Sequence, residues 1–521
     1  MSIAEKFIAG TTSLFSDPFT ILIFVCAVIG GMLFGAIPGV SMLTLAAIIL
    51  PFTGALEPAQ AIMLFAVIYC TGTYGGAITA ILFNIPGSAE NAPTAFDGYA
   101  MTQQGKAGKA VGAAVLCSAI GGVASALIMM AATEPIAQWA ISNIGPPEIF
   151  ALVFFGLAVA SSVGGDTIWK GWLSVLLGVL IGTVGQDPID GVNRYTFGFT
   201  DLAAGIAFVP VILGLFAVSE VFTQAEKKAV GTYNAPKFSL NFPKFVELWA
   251  EKIAVLRSII IGFFCGILPG IGATLAAFMS YGEAVRWSKN KQEFGKGKLE
   301  GVLSSETANN AATGAAMIPL LALGLPGGAL TAIMVAAFEM HDLEAGPLVF
   351  YNSPDLIWVV FAAMFWANLS ILFIGLLETK TILYLLKIPF QFLAPLILLL
   401  ASVGAFLTRG LVLDVMVMFA AGIIGFLLRR SGYSMAGLVL GVILGKVGER
   451  NFAQGMQMMF FDPVFGDRGY FGRWAPIPLP FDMQISLPIG ALLLIGGLIT
   501  LGFSIWSALR MRSTPAQQPA E

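Results

Sequence analysis

Residues 35–39 read Gly-Ala-Ile-Pro-Gly and interrupt an otherwise continuous apolar run. A second copy, Gly-Ile-Leu-Pro-Gly, occupies residues 266–270. Each copy is followed about 50 residues later by another Pro-Gly pair, at residues 86–87 and 326–327. Proline lacks a backbone donor and glycine tolerates positive φ, so both residues favour the unwinding of a helix. Paired breaks at matching places in two halves of a chain are typical of transporters that bind their substrate at broken helices.

The composition places the chain in a membrane. Of its 521 residues, 57% are hydrophobic and only 11% are charged, and the mean hydropathy is +0.86. This charged fraction is less than half of that in soluble domains. The net charge of −3 and the lack of a basic stripe disfavour nucleic acid as a partner. The four cysteines fall in apolar stretches without metal-like spacing, which favours buried thiols.

The apolar runs predict an all-α polytopic membrane protein. A helix needs roughly 20 residues to cross the hydrocarbon core. The predicted spans are 59–83, 110–132, 147–165, 171–187, 202–222, 301–338 with a polar first turn, 355–376, 390–408, 411–428, 433–447 and 485–509. The runs 20–51 and 257–282 contain a Pro-Gly break, and the arms of 257–282 are only about 12 residues long. Both runs are predicted as re-entrant hairpins, and a full span plus a half-helix is the alternative for 20–51.

The loops predict two repeats of inverted topology, each with a broken helix and about five spans. If the hairpins return to the side they left, 20 of the 27 Lys and Arg residues are cytoplasmic, as the positive-inside rule requires. The seven others are Lys6, Arg194, Arg409, Lys446, Arg450, Arg468 and Arg473. Equivalent loops of the two halves also carry opposite charge. Pro269 follows Pro38 by 231 positions and Pro326 follows Pro86 by 240, so the register is kept between the halves.

These patterns predict six segments. They are the first membrane repeat 1–222, a cytoplasmic linker 223–256, the second inverted repeat 257–448, a periplasmic loop 449–484, a terminal transmembrane helix 485–509 and a disordered tail 510–521. The segment 449–484 is rich in aromatic and proline residues. This composition fits anchoring at the membrane interface, and docking of an outer partner is the alternative.

The four Pro-Gly breaks predict a site for an anion. A helix broken in mid-membrane exposes N–H groups, which favour anions, and C=O groups, which favour small cations. The predicted substrate-binding residues are Pro38, Gly39, Ser41, Asn84, Pro86, Gly87, Ser88, Pro269, Gly270, Gly272, Thr274, Pro326, Gly327 and Gly328. On this hypothesis, valine at Gly87 or Gly270 should abolish transport with a smaller effect on stability. The alternative is that each Pro-Gly pair only kinks a helix for packing.

A polar stripe begins at Glu306 and continues with Asn309, Asn310 and Thr313, at the spacing of one helical face. A carboxylate beside two amides can coordinate sodium or carry a proton. Ionisable groups at membrane depth are usually functional. The alternative is that Ser305 and Glu306 cap a span at the water interface.

Thr73 is the first-half counterpart of Thr313, because each lies 13 residues before the second proline of its half. The residues predicted to bind the coupling cation are therefore Glu306, Asn309, Asn310, Thr73 and Thr313. Sodium and a proton both remain candidates for this cation. No cofactor is predicted, and no metal beyond sodium.

Several of these stretches resemble the large membrane subunit of the tripartite tricarboxylate transporters. They are residues 35–39, 74–88, 97–99 with 105–109, and 306–310 running on to 324–327. The resemblance covers nearly the whole chain and is weakest after about residue 449. It implies a bacterial inner-membrane permease that imports a carboxylate with a small four-helix membrane subunit and a periplasmic solute-binding protein. Coupling to a cation, often sodium, is implied by analogy.

One position departs from the resemblance, and other classes of protein remain open. Relatives commonly carry a small hydroxyl residue where this chain has Gly328. A stand-alone secondary anion transporter is the main alternative, because the sequence of one chain does not reveal a partner. A channel also permits broken helices, although the inverted register suits alternating access better. For a membrane enzyme, the sequence offers no carboxylate cluster, metal set or nucleophile with its base.

Overall fold

The computed structural model describes residues 2–37, 40–163, 167–187, 189–226, 243–268, 272–385, 390–461, 475–478, 484–487 and 489–512. Within these residues the chain is almost entirely helical. Its strands form two short antiparallel hairpins, β1 (Gly185–Gln186) with β2 (Asn193–Arg194) and β3 (Ala475–Pro478) with β4 (Gln484–Leu487). The predicted all-α polytopic fold class is confirmed.

The helices follow one another with short connections. In chain order they are α1 (Ile3–Ser16), α2 (Pro18–Ala36), α3 (Met42–Ile49), α4 (Pro58–Phe83), α5 (Ala92–Gln103), α6 (Ala107–Asn143), α7 (Pro146–Val163), α8 (Ile168–Gly182), α9 (Phe208–Ile212), α10 (Ser219–Glu226), α11 (Phe245–Ala250), α12 (Lys252–Ile267), α13 (Gly272–Trp287), α14 (Leu299–Ala315), α15 (Met317–Leu323), α16 (Ala329–Met340), α17 (Val349–Asn352), α18 (Pro354–Leu385), α19 (Phe390–Arg409), α20 (Val412–Arg430), α21 (Met435–Phe461) and α22 (Ile489–Arg512). A π-helical segment, Leu213–Val218, joins α9 to α10. Shorter 3-10 turns lie at Leu50–Ala55, Ala89–Asn91, Thr200–Leu202 and Lys291–Glu293.

Seven helical stretches of the described chain are long and apolar enough to cross a membrane. They are Pro18–Ala36, Pro58–Phe83, Ala107–Asn143, Phe208–Glu226, Pro354–Gly375, Phe390–Arg409 and Val412–Arg430. All except the first correspond to predicted spans. Three other predicted spans match α7, α8 and α22, and α21 extends well past the predicted span 433–447. Helix α1 was not predicted, and the capping box between Ser2 and Glu5 is its clearest start signal.

The predicted span 301–338 is interrupted at the Pro-Gly break that it contains, residues 326–327. The chain forms α14, α15 and α16 there, and the last two are separated by residues 324–328. Gly324 ends α15 with φ +74, and Pro326 lacks the N–H that a continuing helix needs.

Of the two predicted re-entrant hairpins, the first needs revision. In the run 20–51, α2 has 19 residues and α3 has eight, which matches the alternative of a full span plus a half-helix. Within the run 257–282, the arms are residues 257–267 of α12 and 272–282 of α13, close to the 12 residues expected, although each helix has 16 residues in all. Both remain shorter than the roughly 20 residues that a span requires.

The helices group into two compact units. The first contains Met1–Gln138 and Val209–Phe426, and the second contains Trp139–Phe208 and Leu427–Glu521. In the second unit, α21 packs against α7 and α8, and α22 packs on α7. Small residues allow the close approach of α8 and α21, because a Cβ at Gly178 would lie 2.0 Å from the carbonyl oxygen of Leu438.

Helices α4 and α14 form the centre of the first unit. The membrane-length part of α4 is entirely buried, and so are the polar residues of α14 from Ser304 to Thr313. Helices α2 and α18 pack on α4, while α12 and α13 pack on α14. Helix α5 contacts both α4 and α14.

Asp97 fixes α5 against the start of α14. Its fully buried carboxylate accepts hydrogen bonds from the backbone N–H groups of Gly297 at 2.9 Å and Lys298 at 2.8 Å. The hydroxyl of Tyr281 donates to its other oxygen at 2.9 Å. Gly301 leaves room for this carboxylate, since a Cβ there would lie 2.2 Å from Asp97 Oδ2. These contacts set the position from which α14 enters the core.

Contacts between loops of the first unit agree with the predicted topology. The side-chain amide of Gln104 donates to the backbone oxygen of Lys296 at 2.6 Å. Lys109 forms an ion pair with Glu247 at 2.5 Å. Three segments predicted to be cytoplasmic, those after α5, around α11 and before α14, therefore lie on one face of the unit. The side of the membrane that this face occupies stays a prediction.

The second unit shows the same agreement. Lys170 donates to the backbone oxygen of Ser431, next to the basic end of α20, and both were predicted to be cytoplasmic. Arg194 forms an ion pair with Glu449 at 2.5 Å, and both were assigned to the opposite side.

Candidate functional site

The two breaks of the first half meet in space. Gly35 lies at the end of α2, just before the first break, and Gly87 belongs to the second. The N–H of Gly87 donates to the backbone oxygen of Gly76 on α4 at 3.3 Å. A Cβ at Gly87 would lie 1.9 Å from the carbonyl oxygen of Gly35 and 2.6 Å from Gly76 Cα. Gly87 therefore serves packing as well as any backbone geometry for a ligand, so the expectation that its substitution spares stability is revised.

The same helix contacts recur in the second half. A Cβ at Gly35 would lie 2.2 Å from the carbonyl oxygen of Gly72, and a Cβ at Gly266 would lie 2.5 Å from that of Ala312. Gly266 follows Gly35 by 231 positions, and Ala312 follows Gly72 by 240. These are also the separations of the first prolines and of the second prolines of the two halves. The internal repeat is therefore present in the packing. The opposite orientation of the two repeats stays a prediction.

The second break has the same geometry in both halves. Asn84 ends α4 with φ +57, and Gly324 ends α15 with φ +74. The N–H of Ile85 donates to the carbonyl oxygen of Thr79, and that of Leu325 to the carbonyl oxygen of Pro319. All these pairs are 240 positions apart. The left-handed residue is therefore the one two positions before each proline.

Each second break also contacts the helix that follows the first break of the other half. The turn Ala89–Asn91 packs against α13, and α16 packs against α3. The segments that follow the four breaks thus contact one another in crossed pairs within the first unit. Residues 38–39 and 269–271, which belong to the two first breaks, are outside the described chain. Ser41 precedes α3 without a side-chain cap hydrogen bond, and Gly272 begins α13 with φ +61.

The remaining predicted substrate-binding residues line the same region. Thr274 is half-buried in the first turn of α13. Pro326 and Gly327 are buried between α15 and α16, and half-buried Gly328 donates its N–H to Thr331 Oγ1 at 2.8 Å. A Cβ at Gly328 would meet no atom within 4 Å, so the hydroxyl residue of the relatives would fit.

Glu306 lies at the centre of a hydrogen-bond network. Its fully buried carboxylate accepts from Thr94 Oγ1 at 2.5 Å, Asn309 Nδ2 at 3.2 Å and Asn91 Nδ2 at 3.4 Å through Oε1. Ser118 Oγ donates to Oε2 at 2.9 Å. All four donors are neutral, and none of the ion pairs seen in the described chain includes Glu306. The network therefore leaves the negative charge uncompensated.

The cap interpretation of Ser305 and Glu306 is wrong. Helix α14 begins at Leu299 after Lys298, so both residues lie in its interior and are fully buried. The hydroxyl of Ser305 bonds back to the carbonyl oxygen of Gly301 at 2.9 Å.

Asn91 connects the Glu306 network to the first-half break. Its Nδ2 also donates to the carbonyl oxygen of Thr73 at 2.9 Å, and its Oδ1 accepts from the Ser88 hydroxyl at 2.7 Å. Gly76 allows this position, because a Cβ there would lie 2.1 Å from Asn91 Oδ1. A single side chain thus touches α4, the break and Glu306.

The other predicted cation-binding residues lie beside the network. Asn310 donates to the backbone oxygen of Glu306 at 3.2 Å and to Asn309 Oδ1 at 2.8 Å, and its own Oδ1 is buried without a partner. The hydroxyls of Thr313 and Thr73 bond back to their own helices. The donors Thr94 and Ser118 were missed, because they lie on α5 and α6, about 200 positions from Glu306.

The donor set suits a hard monovalent cation. A carboxylate and two hydroxyls are oxygen ligands of the type that sodium shares with other hard cations, whereas the Asn91 and Asn309 amides contact Glu306 through their N–H groups. Among the described residues, no group of three or more His, Cys, Asp or Glu side chains is arranged to hold a metal. Where sodium binds here, the Glu306 carboxylate would supply the charge and the Thr94 and Ser118 hydroxyls would supply neutral oxygens.

Broken helices around a buried polar network, in a chain with seven membrane-length helices, define a multi-pass membrane protein of the transporter class. The model of the tripartite tricarboxylate transporter TctA family matches residues 21–440, and the chain belongs to this family. The predicted resemblance is confirmed.

Two proteins of Agrobacterium vitis are similar to this chain. One is described as an uncharacterized 52.8 kDa protein in the TAR-I ttuC' 3' region, and it is 37% identical over 82% of this chain and 85% of its own length. The other is an uncharacterized protein in the TAR-II ttuC' 3' region, 38% identical over 37% of this chain and 81% of its own length. No solved structure matches the chain significantly.

Proposed function

We propose that this chain is the large membrane subunit of a tripartite importer, which carries a small carboxylate across the bacterial inner membrane with a cation. Membership of the family supports a tripartite system, which implies partner subunits. The partners proposed are a small membrane subunit and a periplasmic solute-binding protein that delivers the substrate.

The substrate is proposed to bind at the four breaks. Backbone N–H groups freed by the breaks would face its carboxylates, with hydroxyl and amide donors from residues such as Ser41 and Thr274. The contacts of Ala89–Asn91 with α13, and of α16 with α3, support one shared site. Neutral donors suit this role, because they bind an anion without placing an unpaired arginine in the membrane.

Coupling is proposed to occur at Glu306. The observation that carries this proposal is the link from Glu306 through Asn91 to Ser88. A cation bound at Glu306 would compete with the Asn91 amide for Oε1. Any shift of Asn91 would then change the turn that forms the second break. Binding of the cation and geometry of the substrate site would thereby depend on each other.

Reconstitution tests this function. The purified chain, placed in liposomes with the small subunit, should take up a radiolabelled carboxylate only when the loaded binding protein and an inward ion gradient are both present. A panel of di- and tricarboxylates and aromatic acids, first tested on the binding protein, identifies the substrate. Uptake by the large subunit alone would favour a stand-alone transporter, and uptake without saturation would favour a channel.

A further inference from the structure

Glu90 is a second buried carboxylate beside the proposed transport site. It lies in the turn Ala89–Asn91, three residues after Gly87, and is only 7% exposed. Its Oε1 is buried and has no hydrogen-bond partner. We infer that Glu90 is a second cation-binding carboxylate of the transporter, which takes sodium or a proton; this inference rests on the proposed function.

The surroundings of Glu90 do not neutralise it. The hydrogen bonds that its carboxylate receives, from its own backbone N–H and from the Ser88 hydroxyl, come from neutral groups, and the same hydroxyl also contacts Asn91 Oδ1 at 2.7 Å. None of the ion pairs of the described chain includes Glu90. An ionised carboxylate buried in this way is unfavourable unless a cation or a proton joins it.

The internal repeat argues against a purely structural role. The position equivalent to Glu90 in the second half is Leu330, which is 2% exposed, and the position equivalent to Glu306 in the first half is Ala66. At each of these two equivalent positions, one half of the chain therefore packs with an apolar side chain. Each half instead contributes one acid. Asn91 connects the two acids, because it follows Glu90 in the chain and contacts Glu306.

Two acids change the charge balance of transport. If both must be neutralised when an anionic substrate enters, each transport cycle carries two cations. A dicarboxylate would then move without net charge, and a monocarboxylate would carry one positive charge inward. A single acid at Glu306 would give one cation per cycle.

Cation binding to the purified full-length chain tests this without a substrate. Radioactive sodium should bind at two equivalents per chain, and Glu90→Gln and Glu306→Gln should each remove one. If Glu90 holds a proton, sodium binding stays at one equivalent in the wild type. The infrared band of a protonated carboxyl then disappears in Glu90→Gln. Glu344→Gln, which removes the same charge from an exposed loop residue, should change neither reading.

A folding control and the contrary outcome complete the test. Glu90→Leu, which installs the residue of the other repeat, should keep the thermal unfolding temperature and show the same loss as Glu90→Gln. Sodium binding and infrared bands that are identical in wild type and Glu90→Gln would overturn the inference. If Glu306→Gln alone lost its cation in that experiment, the proposed coupling at Glu306 would still stand. If neither variant lost one, both proposals would fail.

Discussion

The side-chain amide of Asn91 donates to the Glu306 carboxylate across 3.4 Å, although the two residues are 215 positions apart. Asn91 belongs to the turn that follows the first-half break, and Glu306 belongs to the buried helix α14 of the second half. The contact joins the two predicted repeats at the place where a cation would bind. A substitution of either residue should therefore affect both halves of the chain.

This contact predicts that Asn91 transmits cation binding. In a background without the native cysteines, labelling of Ser41→Cys by a maleimide should change when sodium or protons are added. Asn91→Ala should abolish that change, because the turn no longer senses Glu306. Asn309→Ala is the matched control, since Asn309 touches Glu306 but not Ser88, and it should weaken the ion effect without abolishing it. An unaltered ion effect in Asn91→Ala would contradict the role.

Two glycines of the breaks should respond differently to substitution. Gly87→Ala forces a Cβ to within 1.9 Å of a backbone oxygen, so the stability should fall by about 1–3 kcal/mol. Gly328→Ser places its side chain in open space and should keep the unfolding temperature of the wild type. Thermal unfolding in detergent measures both, and equal stability of the two variants would show that Gly87 is not tightly packed.

Asp97 should be a strong structural residue. Asp97→Asn weakens two backbone hydrogen bonds to the segment before α14, and hydrogen bonds to charged groups are worth about 1.5–3 kcal/mol. Tyr281→Phe removes only one of the three hydrogen bonds to this carboxylate and should cost less, about 1.5 kcal/mol. Thermal unfolding that ranks the two variants in the reverse order would contradict this account of how α14 is positioned.

The orientation in the membrane can be tested by labelling. Cysteines at Gln104 and Lys291, in a background without the native four, should be shielded from a membrane-impermeant reagent in whole cells. A cysteine at Asp467, in the predicted periplasmic loop, should be labelled. Labelling of Gln104→Cys and Lys291→Cys but not Asp467→Cys would invert the topology. Labelling of only one of the first two would contradict the loop contact between Gln104 and Lys296.

The sequence predicts the breaks and their register because proline and glycine act locally. The offsets of 231 and 240 between the prolines recur in the contacts of Gly35 and Gly266, so the repeat was visible before the packing was known. The Pro-Gly pair at 326–327 likewise predicts the interruption of the span 301–338, although α15 already ends before it, at the cap residue Gly324. The polar stripe from Glu306 was found by its helical spacing, since its members lie within eight residues.

The partners of Glu306 were beyond prediction for a different reason. Thr94 and Ser118 are single hydroxyls on α5 and α6, and no spacing within one helix relates them to a carboxylate on α14. Helices α4 and α14 are also buried on all sides, so their sequences lack the division into a polar and an apolar face. Without that division, the sequence does not indicate which helices pack against which side. Such contacts depend on how helices pack, which local patterns do not encode.

Binding of the coupling cation at Glu306 can be tested by comparing Glu306→Gln with the wild type in proteoliposomes. This variant keeps the size and part of the hydrogen bonding of the side chain but removes its charge. Uptake by the wild-type complex should be accelerated by an inward sodium or proton gradient, and so should uptake by the control Glu344→Gln. Glu306→Gln should still exchange substrate but lose most of the acceleration by the gradient. If uptake by the Glu306→Gln complex responds to the gradient as uptake by the wild type does, the coupling cation does not bind at Glu306.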